Sequence, residues 1–298
     1  MALNPTEKCL AIKAAADTSG ASGYMIVKAS RHLGEMNNRL YRQCRTYDLK
    51  FSTISNNVSY TNTTLYDFYT LPNTWFVYGA IKYAYDTYLR AHQDEIDAGI
   101  KFGRWHDFII NEQDPDGIWE LSELVLYDGD GWATVVSDEV AVDSTVTNEA
   151  GTSISFNLLG AESNMFNVFS EYANLLKGRG PADDSVDSDQ PYAGLISDLD
   201  DADKMVEVGD QAPYDRDFSS FLHDGTDDQN ILTYQASISV DPNGATQRTT
   251  RTFTAPLGLV WVVKTVNGSL SDHSNTVPEL CMHVAPGKYK GVRSESLV

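Results

Sequence analysis

Hydrophobic positions along this chain recur mostly at intervals of two, in short runs broken by Gly, Pro, Asn and Asp, which is the pattern of β-strands that bury one face. Residues 23–29 (Gly-Tyr-Met-Ile-Val-Lys-Ala) form one such run, and in 48–60 Leu49, Phe51 and Thr53 alternate with polar neighbours. Further strands are predicted at 108–110, 119–127, 132–136 and 153–158, separated by Asp114-Pro115-Asp116-Gly117, Asp128-Gly129-Asp130-Gly131 and Asn148-Glu149-Ala150-Gly151. Residues 230–240 and 249–266 read as two late strands, the second interrupted by Ala255-Pro256-Leu257-Gly258, and 281–284 as a last one. Helical spacing is rarer. It predicts a helix over 164–177, through Met165, Phe166, Phe169, Tyr172, Ala173 and Leu176. In 76–96 a helical period, with Gly99 as its terminator, competes with a two-residue period in the first half.

Many short strands with few helices predict an all-β fold: a single jelly-roll sandwich of antiparallel strands, with long loops and one or two short helices. Length sets the domain count. At 298 residues, with no internal repeat and no long linker, the whole chain 1–298 reads as one domain with inserted loops, the acidic loop region falling at about 178–229. No apolar run approaches a membrane span, and the first residues lack the apolar stretch of an export signal, so a soluble protein is expected.

Charge sharpens this picture because it is segregated. Residues 1–105 and 248–298 each carry a net +3, whereas 106–247 carries −26, giving −20 for the chain. Two electrostatically different faces follow, one suited to an anion and one to water or cations. Arg31, Arg39, Arg42 and Arg45, interleaved with Leu40 and Tyr41, form the one dense basic cluster, and Lys288, Lys290 and Arg293 a weaker one. Cations at this density contact phosphates without reading bases, and neighbouring aromatics stack on unpaired ones.

Catalytic motifs are missing: there is no phosphate-binding Gly-Lys-Ser/Thr loop, no G-x-S-x-G elbow and no H-E-x-x-H. No enzyme activity is therefore expected, and Trp105-His106-Asp107 reads as a structural His-Asp pair. Cys9, Cys44 and Cys281 are odd in number and far apart in sequence, which argues against a disulfide framework or a clustered zinc site. No cofactor or metal is expected beyond Ca²⁺ at subunit contacts, for which Asp198, Asp200, Asp201 and Asp203 offer hard oxygen ligands.

Two segments carry a resemblance. Residues 206–215 (Val-Glu-Val-Gly-Asp-Gln-Ala-Pro-Tyr-Asp) and 255–260 (Ala-Pro-Leu-Gly-Leu-Val) are similar to stretches in capsid proteins of small circular Rep-encoding single-stranded DNA viruses, the smacovirus-like group among them. The resemblance implies a structural protein, located in the virion and assembled inside the host cell, that forms an icosahedral homo-oligomer around a genome bound without regard to sequence. Its lumen would be lined by Arg31, Arg39, Arg42, Arg45, Lys288, Lys290 and Arg293. The chain lacks the Arg-rich arm with which many such proteins begin, since only Lys8 and Lys13 occur before Gly23. Two other readings stay open: a carbohydrate-binding or adhesin-like sandwich using Trp75, Trp105, Trp119 and Trp132, and a jelly-roll hydrolase with unrecognised carboxylates.

Overall fold

A computed structural model describes residues 5–15, 23–54, 62–103, 105–111, 120–127, 129–135, 144–147, 153–158, 165–177, 232–241, 248–274 and 277–298. The chain runs β1 (Cys9–Ala14), β2 (Tyr24–Lys28), α1 (Ala29–Asn37), β3 (Thr46–Thr53) and β4 (Thr64–Thr70). A long excursion follows: α2 (Trp75–Ala91), α3 (Gln93–Asp97), β5 (Glu120–Tyr127), β6 (Trp132–Thr134), β7 (Thr145–Thr147), β8 (Ser153–Asn157), β9 (Met165–Asn167) and α4 (Val168–Lys177). It returns through β10 (Thr233–Val240), β11 (Phe253–Pro256), β12 (Leu259–Val266), β13 (Ser269–Leu270), β14 (Leu280–Val284) and β15 (Pro286–Tyr289).

Pairing nests the early strands with the late ones. β1 pairs with β14, β2 with β12, β3 with β11 and β4 with β10, all antiparallel. β14 also pairs with β3, and β12 with β4, which gives two four-stranded sets in the orders β1-β14-β3-β11 and β2-β12-β4-β10. β5 joins the sets, lying antiparallel to β1 and parallel to β2, so that they merge into an 11-stranded mixed sheet nearly closed into a barrel. Near the opposite ends, Arg251 Nη2 donates to the Gln235 carbonyl at 3.0 Å, linking the approach to β11 with β10. The protein is mostly β, as the two-residue spacing predicts.

Alternation fills the interior. Leu10 and Ile12 of β1, Leu49 and Phe51 of β3, Tyr66 and Phe68 of β4, and Val260 and Val262 of β12 pack in one cluster, with Phe51 stacked on Phe68 at 4.7 Å. The other face of β12, through Leu259 and Trp261, meets a second cluster built from Phe76, Val77 and Ile81 of α2 and Phe169 of α4. Because β12 is covered on both faces, it reads in sequence as a continuous apolar run. The corner before it is made by Leu257 and Gly258, both at positive φ (58° and 67°), and a Cβ on Gly258 would press on the Tyr47 ring.

Among the described residues four helices stand where one or two short ones are expected, and α2 has 17 residues. Helix, not strand, occupies all of 75–91. Thr74 Oγ1 caps the Val77 amide, and Phe76, Val77, Ala80, Ile81, Ala84 and Tyr88 form one buried face. Gly99, at φ 83°, lies just past α3, where its amide donates to the Ile96 carbonyl at 2.9 Å. Residues 165–167 pair as a parallel strand with β8 before α4 begins, and the Phe166 ring lies 5.0 Å from that of Phe156. Residues 108–110 are no strand. Gln43 takes the place of a neighbouring strand there, accepting from the Ile110 amide at 2.7 Å and donating to its carbonyl at 3.0 Å. The acidic stretch 178–229 and the quartet Asp198, Asp200, Asp201 and Asp203 lie outside the described residues.

Candidate nucleic-acid interface

Parts of the two basic clusters, some 250 residues apart in sequence, converge on one surface. The segment after α1 carries Arg39, Arg42 and Arg45, and the turn after β15 carries Lys290. Tyr41 Oη donates to the Lys290 carbonyl at 3.0 Å, the Arg42 amide donates to Tyr289 Oη at 3.2 Å, and Lys290 Nζ donates to the Leu40 carbonyl. Rings lie among the charges. The Arg45 guanidinium sits 3.9 Å over the Tyr289 ring, Lys290 Nζ lies 5.4 Å from the same ring, and Tyr41 meets Tyr289 edge-on at 6.0 Å.

A cavity of about 460 Å³ opens beside this cluster, with Arg42, Arg45 and Asp107 on its lining and Tyr88, Phe102 and His106 facing them. Phe102 and His106 stack at 4.3 Å with planes 13° apart, and His106 and Tyr88 at 5.8 Å and 15°, so three near-parallel rings form an aromatic wall. An anionic ligand here would meet the cations of Arg42 and Arg45 next to the exposed Phe102 and half-buried His106.

Electrostatics tie the elements together. Asp107 accepts from the Gln43 amide at 2.9 Å and pairs with Arg42 at 3.4 Å. Burial raises its pKa from 3.8 to about 6, although those hydrogen bonds and the Arg42 charge pull the other way. Burial also lowers His106 below the usual imidazole range, helped by Arg42 and His92. Lys290 is lowered by burial and by the neighbouring charges of Arg42, Arg39 and Arg45, which mutual repulsion would leave favourably placed for an anion.

The remaining basic residues make different contacts. Arg31 Nε binds Glu35 Oε1 at 2.8 Å, in a separate network with His32. Arg293 pairs with Asp48 at 2.9 Å, and Lys288 is exposed on β15. Of the proposed sugar platform, Trp75 and Trp105 are exposed, Trp119 is outside the described residues, and only the backbone of Trp132 is described.

Two constellations escaped the sequence. Ser122 Oγ lies 2.7 Å from His32 Nε2, and His32 Nδ1 lies 3.2 Å from Glu35 Oε2, which is the connectivity of a hydrolase triad. Both Ser122 and His32 are buried, at 4% and 1% exposure, so no substrate carbonyl reaches the hydroxyl; the set pins α1 to β5. Cys9 and Cys281, distant in sequence, lie side by side with His283 nearby, a proximity that their spacing does not announce. Strand alternation at both ends carried that signal, since only the pairing of β1 with β14 brings it together.

No family model matches this chain, and neither curated proteins nor solved structures give a match. No described helix is long and apolar enough to cross a membrane.

Proposed function

We propose that this chain is a structural capsid subunit with a jelly-roll fold, which self-assembles into a closed shell and meets single-stranded nucleic acid on its basic, aromatic surface. The observation that carries this reading is the nested pairing of β1 with β14, β2 with β12, β3 with β11 and β4 with β10, in two four-stranded antiparallel sets. Such nesting supports a jelly-roll reading, an architecture used by viral capsid proteins and by lectins. Convergence of Arg39, Arg42, Arg45 and Lys290 beside the ring wall of Tyr88, Phe102 and His106 favours nucleic acid over a sugar, because it supplies phosphate contacts together with stacking.

Single-stranded DNA of mixed sequence should bind with an affinity that falls linearly with the logarithm of salt concentration. Each phosphate contact contributes about 0.7 to that slope. The triple variant Arg42→Ser, Arg45→Ser and Lys290→Ser should reduce the slope by about 2, equally for all base compositions. A binding curve insensitive to these changes, together with capture of an immobilised glycan that Trp105→Ala abolishes, would favour the carbohydrate-binding reading instead.

A further inference from the structure

We propose that Cys9, Cys281 and His283 bind a single tetrahedral divalent ion of the zinc type, which clips β1 to β14. These strands pair with Cys9 opposite His283 and Ala11 opposite Cys281, so alternation puts all three side chains on the face opposite Leu10, Ile12 and Met282 of the core. Their two sulfurs and imidazole nitrogen lie within 4.8 Å of one another, with the sulfurs 2.7 Å apart. An ion with metal–sulfur bonds of about 2.3 Å and a metal–nitrogen bond of about 2.0 Å holds tetrahedral ligand atoms roughly 3.5–3.8 Å apart. Small side-chain rotations reach that spacing.

The surroundings suit the donor set. Ser52 Oγ lies 2.7 Å from His283 Nε2, which fixes the ring and leaves Nδ1 as the ligating nitrogen. Glu7 Oε1 accepts from the Lys8 and Cys9 amides at 3.0 and 3.1 Å, which anchors the start of β1; the fourth position falls to a water. Cys9 is exposed, so the ion has a way in. On binding, both S–H bonds break heterolytically, each sulfur gives its electron pair to the ion, and two protons leave to solvent.

A disulfide is the competing fate. Cys9 and Cys281 are diagonal neighbours in the ladder, a relation that separates Cα atoms by about 7–8 Å, whereas a disulfide wants roughly 4.4–6.8 Å. An ion inserts two further bonds and spans the diagonal without moving the strands.

Reduced full-length protein, titrated anaerobically with Co²⁺, should develop tetrahedral ligand-field bands and sulfur-to-cobalt charge transfer that saturate at one equivalent, and Zn²⁺ should remove both. Cys9→Ser and, separately, His283→Gln should weaken Co²⁺ binding at least tenfold. Cys44→Ser should leave it unchanged, because Cys44 is buried elsewhere, against the Phe108 carbonyl. An octahedral spectrum, or binding indifferent to Cys9→Ser and His283→Gln, would overturn the site. So would Cys9 and Cys281 recovered as a disulfide that forms in preference to metal binding when the reduced protein is given Zn²⁺ and air together.

Discussion

At the scale of single residues, buried charges decide how this protein responds to pH. Asp107 is held at a pKa of about 6, well above its ordinary 3.8, chiefly by burial. A carboxyl raised in this way contributes stability that is complete below about pH 3.8 and is lost as pH rises through about 6, because ionisation costs more in the folded chain than in the unfolded one. Asp107→Asn removes that titration. The stability of the variant relative to the natural chain should therefore improve by about 2–3 kcal/mol between pH 4 and pH 7, read from paired urea-unfolding curves; a flat difference would remove the burial account of this residue.

Glu279 behaves in the opposite sense. Burial alone would raise it, yet hydrogen bonds from His273 at 3.3 Å and Lys264 at 2.5 Å, with the charge of Lys264, outweigh burial and lower it. Its contribution is present above the unfolded carboxylate pKa and disappears as pH falls through the lower folded value. Glu279→Gln at neutral pH removes the countercharge of Lys264, which is 9% exposed and keeps only the neutral Asp272 carbonyl at 2.7 Å, and should cost about 3–5 kcal/mol in urea unfolding. A loss below 1 kcal/mol would mean that water reaches this pair.

At the scale of elements, strands were legible where one face is buried, and less so where another element supplies the partner. Tyr24–Lys28, Glu120–Tyr127, Thr233–Val240 and Leu259–Val266 follow the apolar spacing closely. Cys9–Ala14 and Thr64–Thr70 also alternate, burying Leu10, Ile12 and Ala14 in the first and Thr64, Tyr66, Phe68 and Thr70 in the second, a signal present in the chain but masked by small and polar residues at inward positions. Residues 108–110 misled in the other direction. Phe108 and Ile110 are buried, but the Ile110 amide and carbonyl bond to a side chain, which no periodicity encodes. Gln43→Ala should therefore leave the amide and carbonyl of Ile110 buried without this partner and cost about 1–3 kcal/mol for each group lost; unchanged urea unfolding would show that another group replaces it.

The candidate site was half legible for the same reason. Arg39, Arg42 and Arg45 announce themselves as a local cluster, whereas Lys290, Tyr289 and the wall of Tyr88, Phe102 and His106 join it only through the contacts of β15 and α2 with the segment after α1. Arg31, close in sequence, turns to Glu35 instead because α1 places the two four residues apart.

At the scale of the whole molecule, β1 and β14, from the two mildly basic ends of the chain, are neighbours, and the strongly acidic middle enters as the excursion between β4 and β10. In the proposed shell, the net charge of −26 in one segment would keep separate particles apart and would be solvated on one side. The most direct test is the mass of the purified full-length protein under native conditions, across a range of salt and pH, with electron micrographs of the same samples. Closed, symmetric particles of many identical copies are the predicted result. A monomer or dimer under every condition would contradict the capsid reading.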